Sequence, residues 1–319
     1  MKLSTKLNIV LLSVVLGLGF FLTFYVYWSV EGILEERIYR QLQNEAFHIM
    51  DKLDRFLFER HADIQTISSD PTLASNDINA RQITLRLIEY RNRFKAYASL
   101  TFYDRNRVSI ADTSGLAIGQ PHSLTAYWPD IAAGQSYQGG HVAVSEPLEI
   151  PVIHFAEPVR EARGGIVGYV VARIPLSKVY EITKTSARDI SVPGRLFMEL
   201  VDQNGLLIYS SSDRQAVLKK TAQQMGWFPD GVVFEKDGTA LAMIKVAGKD
   251  HVFVYARQKG YLDFKGNNWM LVMHVSNEQI LAPLISLRNK MAVMVFLIVV
   301  FTVVISLMFA RSITGPLRR

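Results

Sequence analysis

Tyr97-Ala-Ser-Leu-Thr-Phe-Tyr103, Val108-Ser-Ile-Ala-Asp112, Val152-Ile-His-Phe-Ala-Glu-Pro-Val159 and Ile166-Val-Gly-Tyr-Val-Val-Ala-Arg-Ile174 are the runs that decide the fold of this chain. Each is crowded with β-branched and aromatic residues, the composition of a strand. Asp104-Arg-Asn-Arg107 turns the first run back on the second, and Arg160-Glu-Ala-Arg-Gly-Gly165 joins the last two. A further short run, His141 to Val144, and a possible short helix from Tyr127 to Gly134 lie between them. Five short strands edged by helices predict an antiparallel α+β layer. One face of such a sheet packs on a helix and the other is free to line a cavity.

Working outward, residues 9–28 and 291–310 carry no charge and are rich in Leu, Val and Phe. About twenty such residues are what a helix needs to cross the hydrocarbon core. Each Leu, Ile, Phe or Val at the centre contributes roughly −0.3 to −0.6 kcal/mol, against about 2.5 to 3.5 for one charge, so both runs insert favourably. A cleaved signal peptide would have a shorter apolar region and a small-x-small site before Glu31-Gly-Ile-Leu-Glu-Glu36, so an uncleaved anchor is expected for the first. Lys2 and Lys6 before the first run and Arg311, Arg318 and Arg319 after the second place both ends in the cytoplasm, although Arg288 and Lys290 count the other way. Residues 29–290 then form one extracytoplasmic segment.

That segment is long enough for two small cores. With no cysteine in the chain, those cores must be held by packing rather than by disulfides. The net charge of +6 is spread out, with no basic-aromatic run that would suit nucleic acid. The seven histidines are scattered and none pairs at helical spacing, so no metal site is expected. No phosphate loop, Gly-x-Ser-x-Gly or His-Glu-x-x-His occurs, and no cofactor or catalysis is expected in this segment.

Beyond Trp28, Leu42, Ala46, Ile49, Leu53 and Phe56 recur at steps of four and three, and Ile64 and Ile67 continue the stripe past Arg60. This predicts an amphipathic stalk helix to Ser68, ended by Asp70-Pro71. Its stripe either packs on the chain's own sheet or, near the membrane, pairs with a second copy in a homodimer. A second helix is expected within 76–94 and another over 176–189.

The plan then repeats after about one hundred residues. Leu196-Phe-Met-Glu-Leu-Val-Asp202, the turn Gln203-Asn-Gly205 and Leu206 to Tyr209 form a hairpin, and Phe102-Tyr-Asp-Arg-Asn-Arg107 is similar to Leu200-Val-Asp-Gln-Asn-Gly205. A helix over 215–225 and strands at 232–234, 240–246, 252–256 and 269–275 complete the second module, and a final helix from Asn277 runs on with Pro283 inside it.

With Tyr103-Asp104 in the first hairpin, the strand Gly165-Ile-Val-Gly168-Tyr-Val-Val and Val201-Asp202-Gln-Asn-Gly205 in the second module, the chain resembles a double Cache sensor. This is the two-module, PAS-like extracytoplasmic domain of bacterial chemoreceptors, sensor histidine kinases and diguanylate cyclases. Arg311-Ser-Ile-Thr-Gly-Pro316-Leu317 resembles the start of a HAMP linker. The resemblance implies the following organisation: a cytoplasmic start (1–8), a first span (9–28), a stalk helix (29–69), a membrane-distal module (70–190), a membrane-proximal module (191–280), a connecting helix (281–290), a second span (291–310) and a linker start (311–319). It implies a receptor in the inner membrane, in chemotaxis or two-component signalling, that binds a small organic ligand in the distal module and signals through the second span to a cytoplasmic output. The alternatives are the regulatory half of a histidine kinase or diguanylate cyclase, and a non-sensing scaffold that docks a periplasmic binding protein.

Members that bind amino acids use an Arg-x-Trp-Tyr element on the short helix and an Asp near the end of the last strand. Here the matching stretch is Thr125-Ala-Tyr127-Trp128, and the Asp falls at Arg173. A cation there repels an ammonium and attracts a carboxylate or phosphate. Arg173 emerges from an apolar strand, so it needs a partner: a protein carboxylate, Glu157 or Glu146, or a ligand anion held bidentately. Strand register decides whether Glu157 or His154 shares its face. Tyr127 and Trp128 are candidate pocket walls or ordinary core, and Tyr103 and His141 are further candidates.

Overall fold

The computed structural model describes residues 3–75, 79–122, 127–140, 142–229 and 232–314. It divides into two compact units, Met1–Gln41 with Val192–Arg195 and Ser276–Arg319, and Leu42–Ser191 with Leu196–Val275.

In the first unit, helix α1 (Leu3–Ser68) begins with the apolar run and helix α6 (Asn277–Thr314) contains the second. Both are long and apolar enough to cross a membrane. Their large side chains face outward, Phe20 being 72% and Phe301 66% exposed, which in water would leave apolar surface uncovered. Tyr39 donates to Asn277 Oδ1 at 3.3 Å, and Gln279 Oε1 accepts from the Arg195 amide at 2.9 Å. The four residues 311–314 of the HAMP-like stretch continue α6, and 315–319 lie outside the described residues.

The second unit holds two five-stranded antiparallel sheets. The remainder of α1 carries the stripe: Leu42, Ala46, Ile49, Leu53, Ile64 and Ile67 are all buried. The stripe does not pass through Phe56, which is only half-buried, but through Leu57 and His61. A straight helix turns every 3.6 residues, so a seam that must stay on one sheet drifts off the heptad by one position. Asp70 then caps α2 (Pro71–Ala74), accepting from the Thr72 amide at 2.9 Å. The same carboxylate accepts from Arg86 Nε at 2.6 Å and the Tyr90 hydroxyl at 3.0 Å, both on α3 (Ala80–Phe94). Burial works to raise its pKa, but these donors outweigh burial and hold it at about 2. Asn79 and Gln82 form a reciprocal capping box at the start of α3, and Ile83, Leu87 and Tyr90 are its buried face.

The first sheet comprises β1 (Ser99–Tyr103), β2 (Ser109–Asp112), β3 (Val142–Ser145), β4 (Ile150–Arg160) and β5 (Ile166–Pro175), in the order β2-β1-β5-β4-β3. Helix α4 (Trp128–Ala132) lies against β4, and α5 (Ser177–Asp189) leads onward. The second sheet, of β6 (Phe197–Val201), β7 (Leu207–Ser210), β8 (Thr239–Val246), β9 (Lys249–Arg257) and β10 (Met270–Ser276), has the same order, β7-β6-β10-β9-β8. The expected two antiparallel α+β modules are present.

Two expected elements differ. The helix over 215–225 is a single tight turn, Arg214–Ala216, followed by turns. Thr221 and Gln224 exchange side-chain bonds with each other's amides, at 3.2 and 2.9 Å, as a capping box would, but Gly226 at φ 71° stops the helix before it starts. Residues 232–234 are not a strand: Val232 and Phe234 pack against the core of the second module and Val233 is 82% exposed, but among the described residues no strand pairs with the run.

Two side chains of α1 bind one module each. Asp54 accepts from the backbone amides of Lys259 and Gly260, at 3.2 and 2.9 Å, in the second module. His61 meets the first module: its Nε2 lies 3.1 Å from Gln138 Nε2 and its Nδ1 3.9 Å from Glu157 Oε1.

Candidate functional site

Because successive side chains of a strand alternate faces, the register assigns the site. β5 pairs Arg173 with Ser99, Val171 with Thr101 and Tyr169 with Tyr103, and β4 pairs His154 with Arg173 and Ala156 with Val171. These residues share one face. Glu157 pairs with Val170 and belongs to the other face, where it meets His61 of α1. The expectation that Glu157 or Glu146 neutralises Arg173 is therefore corrected: Glu157 points away, and Glu146 is exposed in the turn after β3. His154 is the residue that shares the face.

Arg173 is 4% exposed. Its Nη1 donates to Thr101 Oγ1 at 2.7 Å and Ser99 Oγ at 3.4 Å, and its Nη2 donates to the Tyr103 hydroxyl at 2.6 Å. Nε has no hydrogen-bond partner, and no carboxylate lies within ion-pair distance among the described residues. The nearest compensation is indirect, since Thr101 donates in turn to Asp112 Oδ1 at 2.6 Å. Asp112 also accepts from the Ser114 hydroxyl and, at 3.1 Å, from the Ser114 amide. A guanidinium held by three neutral hydroxyls is desolvated without a direct counter-charge, which is costly unless an anion supplies the rest.

The surroundings of this face are largely aromatic. Tyr103, Tyr127, Trp128, Ile131 and Tyr169 form one buried cluster. Tyr127 stacks on Tyr137 with centroids 4.1 Å apart, and its hydroxyl lies 2.6 Å from His122 Nε2. Trp128 meets Tyr169 edge-on at 4.9 Å. Tyr103 and His122 are 4.9 Å apart, as ring centroids. Burial pushes the Tyr127 hydroxyl well above its ordinary range and the Tyr103 hydroxyl upward, with Arg173 pulling the other way in both. Both phenols therefore stay neutral donors at any physiological pH.

Of the residues singled out from sequence, Arg173, Tyr103, Tyr127 and Trp128 come together around this face. His141 and Thr125 lie outside the described residues. Ser99, Thr101, Asp112, His122, Tyr137 and Tyr169 were not singled out. Ser99, Thr101 and Tyr103 are polar at alternate positions of an otherwise apolar strand, a period-two signal that marks a polar-lined face.

No curated protein sequence matches the chain. The ligand-binding domain of the Pseudomonas fluorescens chemoreceptor CtaA in complex with L-isoleucine is similar in structure, with a TM-score of 0.57 at 13% identity over 80% of this chain and 99% of that one. The ligand-binding domain of the Pseudomonas aeruginosa PAO1 amino-acid chemoreceptor PctC in complex with GABA also has a TM-score of 0.57, at 15% identity over 75% of this chain and 99% of that one. PctB from the same organism, in complex with L-Arg, has 0.57 at 15% identity over 76% and 97%. At such identities the likeness is one of fold. Residues 30–284 match the family model dCache_1, Cache domain, and the chain belongs to that family.

Proposed function

We propose that this chain is the sensing part of a transmembrane signal receptor, and that its distal module (70–190) binds a small organic ligand through a carboxylate. The observation that carries this reading is Arg173, buried, held by hydroxyls alone, and with Nε unpartnered among the described residues. A carboxylate accepts two parallel bonds from a guanidinium, which supplies both the missing charge and the missing acceptor. Tyr103, Tyr127 and Trp128 are the proposed walls for the body of the ligand, with His141 as a further contact. The ligands in the CtaA, PctC and PctB complexes, L-isoleucine, GABA and L-Arg, all bear a carboxylate, which supports the class without fixing the member.

Two apolar helices flanking a Cache segment support residues 9–28 and 291–310 as the spans, residues 29–290 as extracytoplasmic and 191–280 as the proximal module. Because the stripe from Leu42 onward is buried within the chain, a homodimer contact falls to the membrane-near part of α1, where Ile33 is 55% exposed. The ligand biases the distal module between two arrangements and α6 carries the change to a cytoplasmic output, for which shifts of about 1–2 Å suffice.

The test is a thermal-shift titration with GABA, L-isoleucine, acetate and succinate beside n-butylamine and butyramide. Carboxylates should raise Tm and the other two should not. A carboxylate shift of full size in the Arg173→Ala chain would remove Arg173 from the site.

A further inference from the structure

The proximal sheet repeats the pairing of the distal one, with smaller residues at one end. Val201 lies opposite Met270 where Tyr103 lies opposite Tyr169. Likewise Trp227-Phe228-Pro229 follows the second hairpin as Tyr127-Trp128-Pro129 follows the first. Where the distal module has two tyrosine rings, the proximal one has a valine and a methionine, and a cavity of about 540 Å³ opens there. That is the size of a small-molecule site, for which roughly 300–1,000 Å³ is usual.

Carboxamides are the commonest polar side chains of the lining. Gln203, Asn204, Gln223 and Asn268 all border the cavity, and none of their side chains has a hydrogen-bond partner among the described residues. The two charged groups at the wall, Asp202 and Arg257, are of opposite sign. Asp202 Oδ1 accepts from the Asn204 and Leu206 amides at 2.8 Å each, and the Arg257 guanidinium sits 3.6 Å over the Phe234 ring. Trp269 at the cavity floor is fully buried, and its indole Nε1 has no partner. Phe228 supplies an apolar wall.

A carboxamide presents a donor and an acceptor side by side, which is the complement of a hydroxyl, itself donor and acceptor. Several unengaged carboxamides beside an aromatic ring suit a molecule with many hydroxyls and an apolar ring face, and carry no net charge to select an ion. We propose that this cavity is a second ligand site, in the proximal module, for a small neutral polyhydroxylated molecule of mono- or disaccharide size. It stands independently of the carboxylate reading of the distal module.

The experiment uses the full chain in detergent, with D-glucose, D-galactose, D-ribose, N-acetylglucosamine and chitobiose as probes in a thermal-shift titration. At least one sugar should raise Tm saturably, and chitobiose against the free monosaccharides separates a glycan end from a free sugar as the source. The shift should persist in Arg173→Ala. It should weaken at least tenfold in the Asn204→Ala/Gln223→Ala double variant, whose two sites are exposed and should leave the unliganded Tm within a few degrees. Val201→Tyr, which restores the distal ring, should weaken it too. Absence of any shift with all five sugars, a shift kept by the double variant, or a shift lost in Arg173→Ala alone would each overturn the proposal.

Discussion

The two modules share a strand order and a register, yet the same addresses carry different side chains. In the β1–β5 pair Arg173 faces Ser99, and in the equivalent β6–β10 pair His274 faces Phe197. Thr101 and Asp112, paired across the distal hairpin, correspond to Glu199 and Ser210. In the distal module the basic group is wrapped by hydroxyls in a box of tyrosines. In the proximal module the imidazole of His274 is sandwiched by Phe253, 4.6 Å away and nearly parallel, and Phe197 at 5.0 Å, while Trp227, Tyr255 and Val272 fill the interior. Backbone topology is shared, and the side chains at a handful of inward positions decide what each sheet face can hold.

The largest effect that would sharpen this contrast is at Trp269, buried in the proximal sheet where the distal strand has Gly168. Trp269→Ala should cost about 3–5 kcal/mol in urea-melt stability. Gly168→Ala should also destabilise, by about 1–3 kcal/mol, because a Cβ there would come 2.5 Å from the Tyr103 carbonyl oxygen. If both substitutions are neutral, the two strands are not packed as described.

Next in size is the exchange of the two basic residues. Arg173→His places the proximal residue in the distal box, and carboxylate affinity by calorimetry should fall roughly 10- to 100-fold at pH 8, since a neutral imidazole offers one donor and no charge. Part of it should return below about pH 6. A pH-independent loss would break the charge argument.

Asp70 supports the distal module alone. Its carboxyl is held at about 2 against an ordinary 3.8, so the stabilisation is present above about pH 4 and lost as pH falls towards 2. Asp70→Asn should cost on the order of 1–2 kcal/mol at pH 7, discounted for the half-exposed Arg86, and should flatten the acid limb of the Tm profile. The smallest effect is Tyr127→Phe, which removes the hydroxyl beside His122 and should cost about 0.5–1.5 kcal/mol while leaving the stack on Tyr137 in place.

The strands and both hairpins were legible because β-branched runs and Asp-x-Asn turns are local signals. The helix expected over 215–225 does not form because Leu218 at φ 58° and Gly226 at φ 71° break it, and neither conformation is written in composition. Arg173 stood out in sequence as a cation in an apolar strand. Its partners did not, because Ser99 and Thr101 reach it only through a pairing between strands some seventy residues apart, and a slip of one residue in β4 would have put Glu157 on that face in place of His154 and Ala156.

Asp54 and His61 lie seven residues apart on α1, about two turns or 10.5 Å of rise, and each holds a different module. A rod bolted at such points, with Asp63 on Tyr97 and Arg55 on Tyr261 beside them, cannot slide past one sheet while staying fixed to the other. Motion that starts in the aromatic box must either carry both sheets with the rod or break one of the bolts, and the amide clamp at Lys259 and Gly260 is the joint to watch.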